Sequence, residues 1–239
     1  MIVQKINAYN SAIRPQTKSL LPTFKQVHAS TIKKIAPKDA LIEKLIYSYV
    51  NKMKKSSFSQ NPEVRKAEEK LAELGINTRF HNDKKLAEYA LGAIECLQKH
   101  NIEVPHNVIF TSPFWVKTGI SIWSRTFPQK EAPIILSNKI YENTPNNKNL
   151  SSNHPYHTFF HETGHWLHFN NGLNIQKNYK TWQKYANPER IANIVSKRAT
   201  DLEDGSEFCA EVFAGIMSGK DFPNDILLLL EKLNFPKIL

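Results

Sequence analysis

The stretch 155–169 contains the pentapeptide His161-Glu162-Thr163-Gly164-His165, and this feature constrains the fold more than any other. On an α-helix, residues i and i+4 project from one face, so the two imidazoles can take adjacent corners of a metal's coordination shell. The Glu beside the first His then reaches the attacking water as a general base. With nine His and sixteen Glu in 239 residues, an H-E-x-x-H match is expected by chance only roughly 0.02 times. The flanks Phe159, Phe160, Trp166, Leu167 and Phe169 make the helix apolar around much of its circumference. Such a helix belongs inside a domain, so the chain must build layers around it.

A catalytic zinc site needs three protein ligands and one open position. Cys96 and Cys209 are the only cysteines, which excludes a Cys-rich zinc site and a disulfide framework and leaves His and carboxylate as donors. In a metzincin, the spacing H-E-x-x-H-x-x-G-x-x-H would place Gly at 168 and His at 171; the chain has His168 and Asn171 instead, so that class is excluded. The remaining candidates are Glu207 and Glu211, in the helix-forming run Gly205-Ser206-Glu207-Phe208-Cys209-Ala210-Glu211-Val212-Phe213-Ala214. At i and i+4 they share a face. One can bind metal while the other accepts the free ring N–H of a ligand histidine. Cys209 points roughly 200° round that helix from Glu207, and both cysteines read as buried, reduced and inert. His154, His157 and His168 lie on or near the same face of the first helix, so any could bind metal; His157 and His168 read as packing beside the site or hydrogen-bonding. Gly164, costly in mid-helix, is expected to let another backbone pass close.

H-E-x-G-H followed some forty residues later by E-F-x-A-E-x-F resembles the zincin peptidases of the anthrax lethal factor type, including related metallopeptidase domains of phage and toxin proteins. The resemblance implies an α+β zincin-like domain and zinc-dependent peptide hydrolysis. It implies His161, His165 and Glu207 as zinc ligands, Glu162 as general base and Glu211 as the residue that supports a ligand histidine. It covers about twenty residues and does not reach 1–75. The family's oxyanion-stabilising Tyr falls here on Thr200, or on Arg198 with a shift of two; the role passes to Arg198 or Tyr185. Such a donor contributes roughly 2.7–4 kcal/mol to lowering a barrier.

The net charge of +10 is concentrated at one end. Residues 1–59 carry eleven Lys/Arg and two acids, Asp39 and Glu43, whereas 60–239 are nearly balanced. Residues 1–36, broken by Pro15 and Pro22 and without sustained apolar period, read as an unstructured basic arm, and the basic stretch 1–59 as a candidate weak contact for nucleic acid or an anionic surface. The segment lacks the apolar core of a secretory signal, and no run approaches the ~20 apolar residues of a membrane span. A cytoplasmic protein, or one exported without a recognisable signal peptide, is expected.

Residues 37–75 read as an accessory pair of helices: 38–55, with Leu41, Leu45, Ile46 and Tyr49 as its stripe, then one from Pro62 to Gly75 on Val64, Ala67, Leu71 and Leu74. From 76 to 239 the expectation is one α+β domain. It starts with a strand at 76–80 and a helix capped by Asn82, continues with strands at Val108-Ile109-Phe110, Ile120-Ser121-Ile122-Trp123 and Pro133-Ile134-Ile135-Leu136 sharing one sheet, and is helical after His154. A protein or peptide substrate is expected to lie extended along the 133–136 strand as a sheet edge. The alternative to a zinc endopeptidase is a zincin-fold binding module with weak or no turnover, recruited to a partner or nucleic acid by the arm.

Overall fold

The computed structural model describes residues 2–3, 37–112, 116, 119–123, 129–142 and 149–238. The expected basic arm 1–36 lies outside the described residues except for β1, Ile2–Val3. The chain is mixed α+β, mostly helical, with a small sheet. No described helix is long and apolar enough to cross a membrane.

Helix α1 spans Pro37–Lys55, but its buried side is not the expected one. Val50 and Met53, with Ile46 partly buried, pack on Ile109 and Ile135 of the sheet, while Leu45 and Tyr49 are 61% and 43% exposed. The spacing 46, 50, 53 is the stripe that meets the sheet, and Leu45 is rotated about 100° from Ile46. Helix α2, Pro62–Glu73, starts where the Asn61 side chain accepts the amides of Glu63 and Val64. It stops at Gly75, whose φ of +75° suits the residue that ends a helix. Its Val64, Ala67 and Leu71 join the same core as the helices and strands that follow, whereas Leu74 is exposed.

The strand expected at 76–80 reduces to a single bridge between Asn77 and Asn107. The reason is competition for its backbone: the Phe80 amide donates to the buried Glu68 carboxylate at 2.8 Å, which also accepts from the Ser59 amide. Helix α3, Lys84–Lys99, is capped by Asp83, not Asn82; the Asp83 carboxylate accepts the Leu86 amide, and Asn82 sits at φ +67°. Its inner face, Leu86, Ala90, Ala93, Ile94 and Leu97, is fully in the core.

Strands β2 (Val108–Thr111), β3 (Gly119–Trp123) and β4 (Ile134–Ser137) form one sheet with β1, in the order β1-β3-β4-β2. β2 and β4 are parallel; β3 runs antiparallel to β4 and to β1. β4 is therefore interior, paired on both sides, and the expectation that 133–136 forms an edge is overturned: both rows of its backbone hydrogen-bonding groups face neighbouring strands.

The C-terminal half is helical: α4 (His157–Asn170), α5 (Ile175–Tyr185), α6 (Pro188–Ile194), α7 (Ser206–Met217) and α8 (Asn224–Lys232). α4 lies between α7 and the sheet, packing mainly on α7 and β3. Its aromatic flanks are all buried, and the Trp166 indole N–H donates to the Ala132 carbonyl at 3.0 Å.

Candidate metal centre

Two turns of α4 and the start of α7 build a buried cluster of imidazoles and carboxylates. His161 and His165, one turn apart, bring their Nε2 atoms to 3.1 Å from each other. α7 supplies the carboxylate: Glu207 Oε2 is 3.4 Å from His161 Nε2, and Oε1 is 3.3 Å from His165 Nε2. The close packing of the two helices makes this reach possible. A Cβ on Gly164 would sit 3.0 Å from Ala210 Cα and 3.1 Å from Phe213 Cδ1, so the glycine does admit a passing backbone.

Glu211 lies one turn further along α7 and faces the other side of His161. Its Oε1 is 2.8 Å from His161 Nδ1 and 3.2 Å from His157 Nε2. Its Oε2 accepts from the Ser151 amide at 2.7 Å and the Ser196 hydroxyl at 2.9 Å. Two groups of three thus have donor atoms within 4.8 Å of one another and could hold a metal ion: His161, His165 and Glu207, and His157, His161 and Glu211.

The four charged groups of the site differ in what they want. Burial pushes the Glu162 carboxyl upward, and the nearby His161, His165 and Arg198 only partly offset it. Both Glu162 oxygens are buried with no hydrogen-bond partner among the described residues. Glu207 is also desolvated, but His165, His161 and Arg198 hold it well below the usual carboxylate range. Glu211 is held low in the same way by His157 and His161. Burial and Arg198 disfavour a proton on His161, yet Glu207 and Glu211 outweigh them and raise it to about 9.

Arg198 stands in a 3-10 turn, Arg198–Thr200, just before α7. Its Nε donates to Glu207 Oε2 at 3.2 Å, and its Nη2 is buried without a partner among the described residues. Thr200 turns away and donates to the Lys197 carbonyl. Tyr185 is not brought to the cluster: it is 48% exposed, with the Lys184 and Lys232 ammonium groups 4.9 and 4.8 Å from its ring centroid. As an oxyanion donor it is therefore corrected, because α5 ends with that residue on the surface.

His168 is a packed, hydrogen-bonded histidine, as expected: its Nε2 is 2.8 Å from the Leu233 carbonyl, and burial lowers it to about 4. His154 accepts the Tyr156 amide. Cys209 is fully buried, and burial pushes its thiol well up; Cys96 is only partly buried.

Two residues of the site are missed by the sequence reading. A Cβ on Gly119 would lie 2.6 Å from Glu162 Cγ and 2.8 Å from Oε1, so β3 passes directly against the Glu162 side chain. Ser121, two residues on, donates its hydroxyl to the Glu162 carbonyl at 2.6 Å. A glycine opening a strand is the signal that could have marked this approach.

Comparison with family models, curated proteins and solved structures returned no match to this chain.

Proposed function

We propose that the chain is a zinc-dependent endopeptidase whose 76–239 region is a zincin-like domain. The observation that carries this reading is the triangle of His161 Nε2, His165 Nε2 and the Glu207 carboxylate, with sides of 3.1, 3.3 and 3.4 Å. Zinc bonds of about 2.0–2.2 Å at tetrahedral angles place neighbouring donors about 3.3–3.6 Å apart. The donor set of two imidazoles and one carboxylate fits that ion, and His161, His165 and Glu207 would hold it with the three protein ligands of a catalytic site. Zinc bound there supplies Lewis acidity, easing deprotonation of a water and polarising a peptide carbonyl.

The chain's own residues divide the remaining work. Glu211 Oε1, 2.8 Å from His161 Nδ1, sets the turn of that ring and leaves Nε2 directed toward Glu207. Glu162 is a base whose oxygens are committed to nothing else among the described residues, and burial favours its protonated form. It takes a proton from the attacking water and delivers it to the leaving amine. Ser121 anchors the Glu162 main chain from β3. Arg198, with a buried and unpartnered Nη2, is the candidate to stabilise negative charge on the carbonyl oxygen. The substrate strand is assigned to β3, which touches Glu162 at Gly119. Opposite β4, that edge is engaged by β1 only at Ile122 and Trp123 among the described residues.

The test is zinc content together with cleavage of unfolded casein. Purified protein is expected to hold about one zinc per chain and to cut casein in a chelator-sensitive way; Glu162→Gln is expected to keep the zinc and lose the cleavage. Protein that stays zinc-free after reconstitution would defeat the reading. Zinc-loaded protein without turnover would leave a binding module.

A further inference from the structure

Tyr185, displaced from the cluster, stands at the end of a basic face of α5. Lys177, Lys180 and Lys184 recur at i, i+3 and i+7 and so fall within about 60° of one another around the helix. Asn178 and Trp182, on its other side, are the residues that α5 buries. The three lysines line a shallow concavity of about 440 Å³ together with Gln176, Thr181 and the Tyr185 ring, and no acidic or aliphatic side chain lines it. None of the three lysines is ion-paired among the described residues, unlike Arg190 on α6, whose Nε is 2.6 Å from the Asp225 carboxylate. The ammonium groups of Lys184 and, from α8, Lys232 stand over the Tyr185 ring, 4.9 and 4.8 Å from its centroid. An exposed aromatic ring and a row of cations thus share one surface.

We infer that this face binds single-stranded nucleic acid, with the lysines on phosphates and Tyr185 against a base. Cations without carboxylates beside them attract an anion, and the rest of the surface selects its class. An anionic membrane is held by apolar side chains that enter the acyl boundary, and the concavity has no aliphatic one to offer. An acidic polypeptide would engage the lysines and leave the exposed ring idle, whereas a base stacks on it. A duplex keeps its base faces against one another, so a single strand is what can bring one to Tyr185. Lys177 to Lys184 span about 10 Å along the helix axis, the reach of about two or three successive phosphates. A base that takes one face of Tyr185 displaces an ammonium group from that face and frees it to meet the adjoining phosphate. The surface shares no residue with the metal centre, so binding there is expected with or without zinc.

Fluorescence anisotropy of a labelled oligo(dT) of about twelve nucleotides, titrated with the full chain over about 50–200 mM salt, reads this binding. A triple variant, Lys177→Gln with Lys180→Gln and Lys184→Gln, loses about three phosphate contacts and is expected to lower the slope of log affinity against log salt by about 2. Tyr185→Ala is expected to bind about 5–100-fold more weakly, and Tyr185→Phe, which keeps the ring, to bind like wild type. All four side chains are exposed, so the variants are expected to melt with the wild type. Oligo(dT) bound equally by wild type and the triple variant would overturn the proposal, because the contact would then belong to the basic stretch 1–59, which these variants leave intact. Wild-type affinity in Tyr185→Ala, tighter binding of a duplex, or polyglutamate that displaces the labelled strand as well as unlabelled oligo(dT) does would also overturn it, reducing the face to a contact for polyanions in general.

Discussion

Glu162 and Glu207 stand in one pocket under opposite pressures. Desolvation dominates Glu162 and favours its protonated form, whereas the imidazoles and Arg198 keep Glu207 ionised. Two carboxyl groups driven apart in this way suit the base and the ligand of the proposed metallopeptidase. Glu207 and Glu211 are distinguished by what each touches: Glu207 meets both Nε2 atoms, and Glu211 meets the Nδ1 of His161. Glu207→Ala is therefore expected to yield essentially metal-free protein, and Glu211→Ala to yield protein that binds zinc about 10–100-fold more weakly. Chelator competition measures both, and the reverse order would exchange their roles. The protonation of His161 gives a second expectation. Its pKa rises from 6.5 in the unfolded chain to about 9 in the metal-free fold. Below pH 6.5 both states hold the proton and its pairing with the carboxylates contributes in full. Between pH 6.5 and about 9 only the folded chain holds it, so stability falls as the pH rises. Urea midpoints of metal-free protein should decline across that window, and a flat profile would show that His161 is neutral in the fold.

At the scale of elements, the site depends on two close approaches to α4. α7 comes near at Gly164 and β3 at Gly119, and in both cases the missing side chain is what allows it. They differ in what a methyl group would strike. At Gly164 it meets the Ala210 backbone and Phe213, so Gly164→Ala pushes helices apart and is expected to cost about 1–3 kcal/mol of stability. At Gly119 it meets the Glu162 side chain itself, 2.6 Å from Cγ. Gly119→Ala is thus expected to displace the general base and lower kcat/KM on a peptide by about tenfold or more while zinc affinity holds. Unchanged turnover in Gly119→Ala would place the working base elsewhere.

Across the whole molecule, the core and the charge are in different places. Among the described residues the buried clusters are made from residue 46 onward, whereas residues 1–36 carry six Lys and Arg and no acid, more than half of the net charge of +10. Deleting 1–36 is expected to leave the melting temperature within a few degrees and to reduce retention on a cation-exchange column. The same deletion removes β1 from the outer edge of β3, so KM for an extended peptide should fall or stay level. A rise in KM would mean that the arm helps hold substrate.

The helix of His161 and His165, its burial, the paired glutamates of α7 and the three strands of the sheet were legible in the sequence, because each is a local pattern: a spacing of four, an aromatic surround, a β-branched run. Where the strands stand was not legible. β4 is interior and β3 meets Glu162 because of pairing between segments separated in the chain, and local composition does not encode which neighbour a strand takes. The same holds at 76–80, where a strand-like run has its Phe80 amide claimed by Glu68 from α2. Arg198 rather than Tyr185 reaches the cluster because of how the 3-10 turn and the end of α5 are placed in space, and residue type and distance along the chain leave that choice open. The sequence alone determined which residues α4 and α7 place in one cluster; only tertiary packing decided which strand, which cation and which second histidine they face.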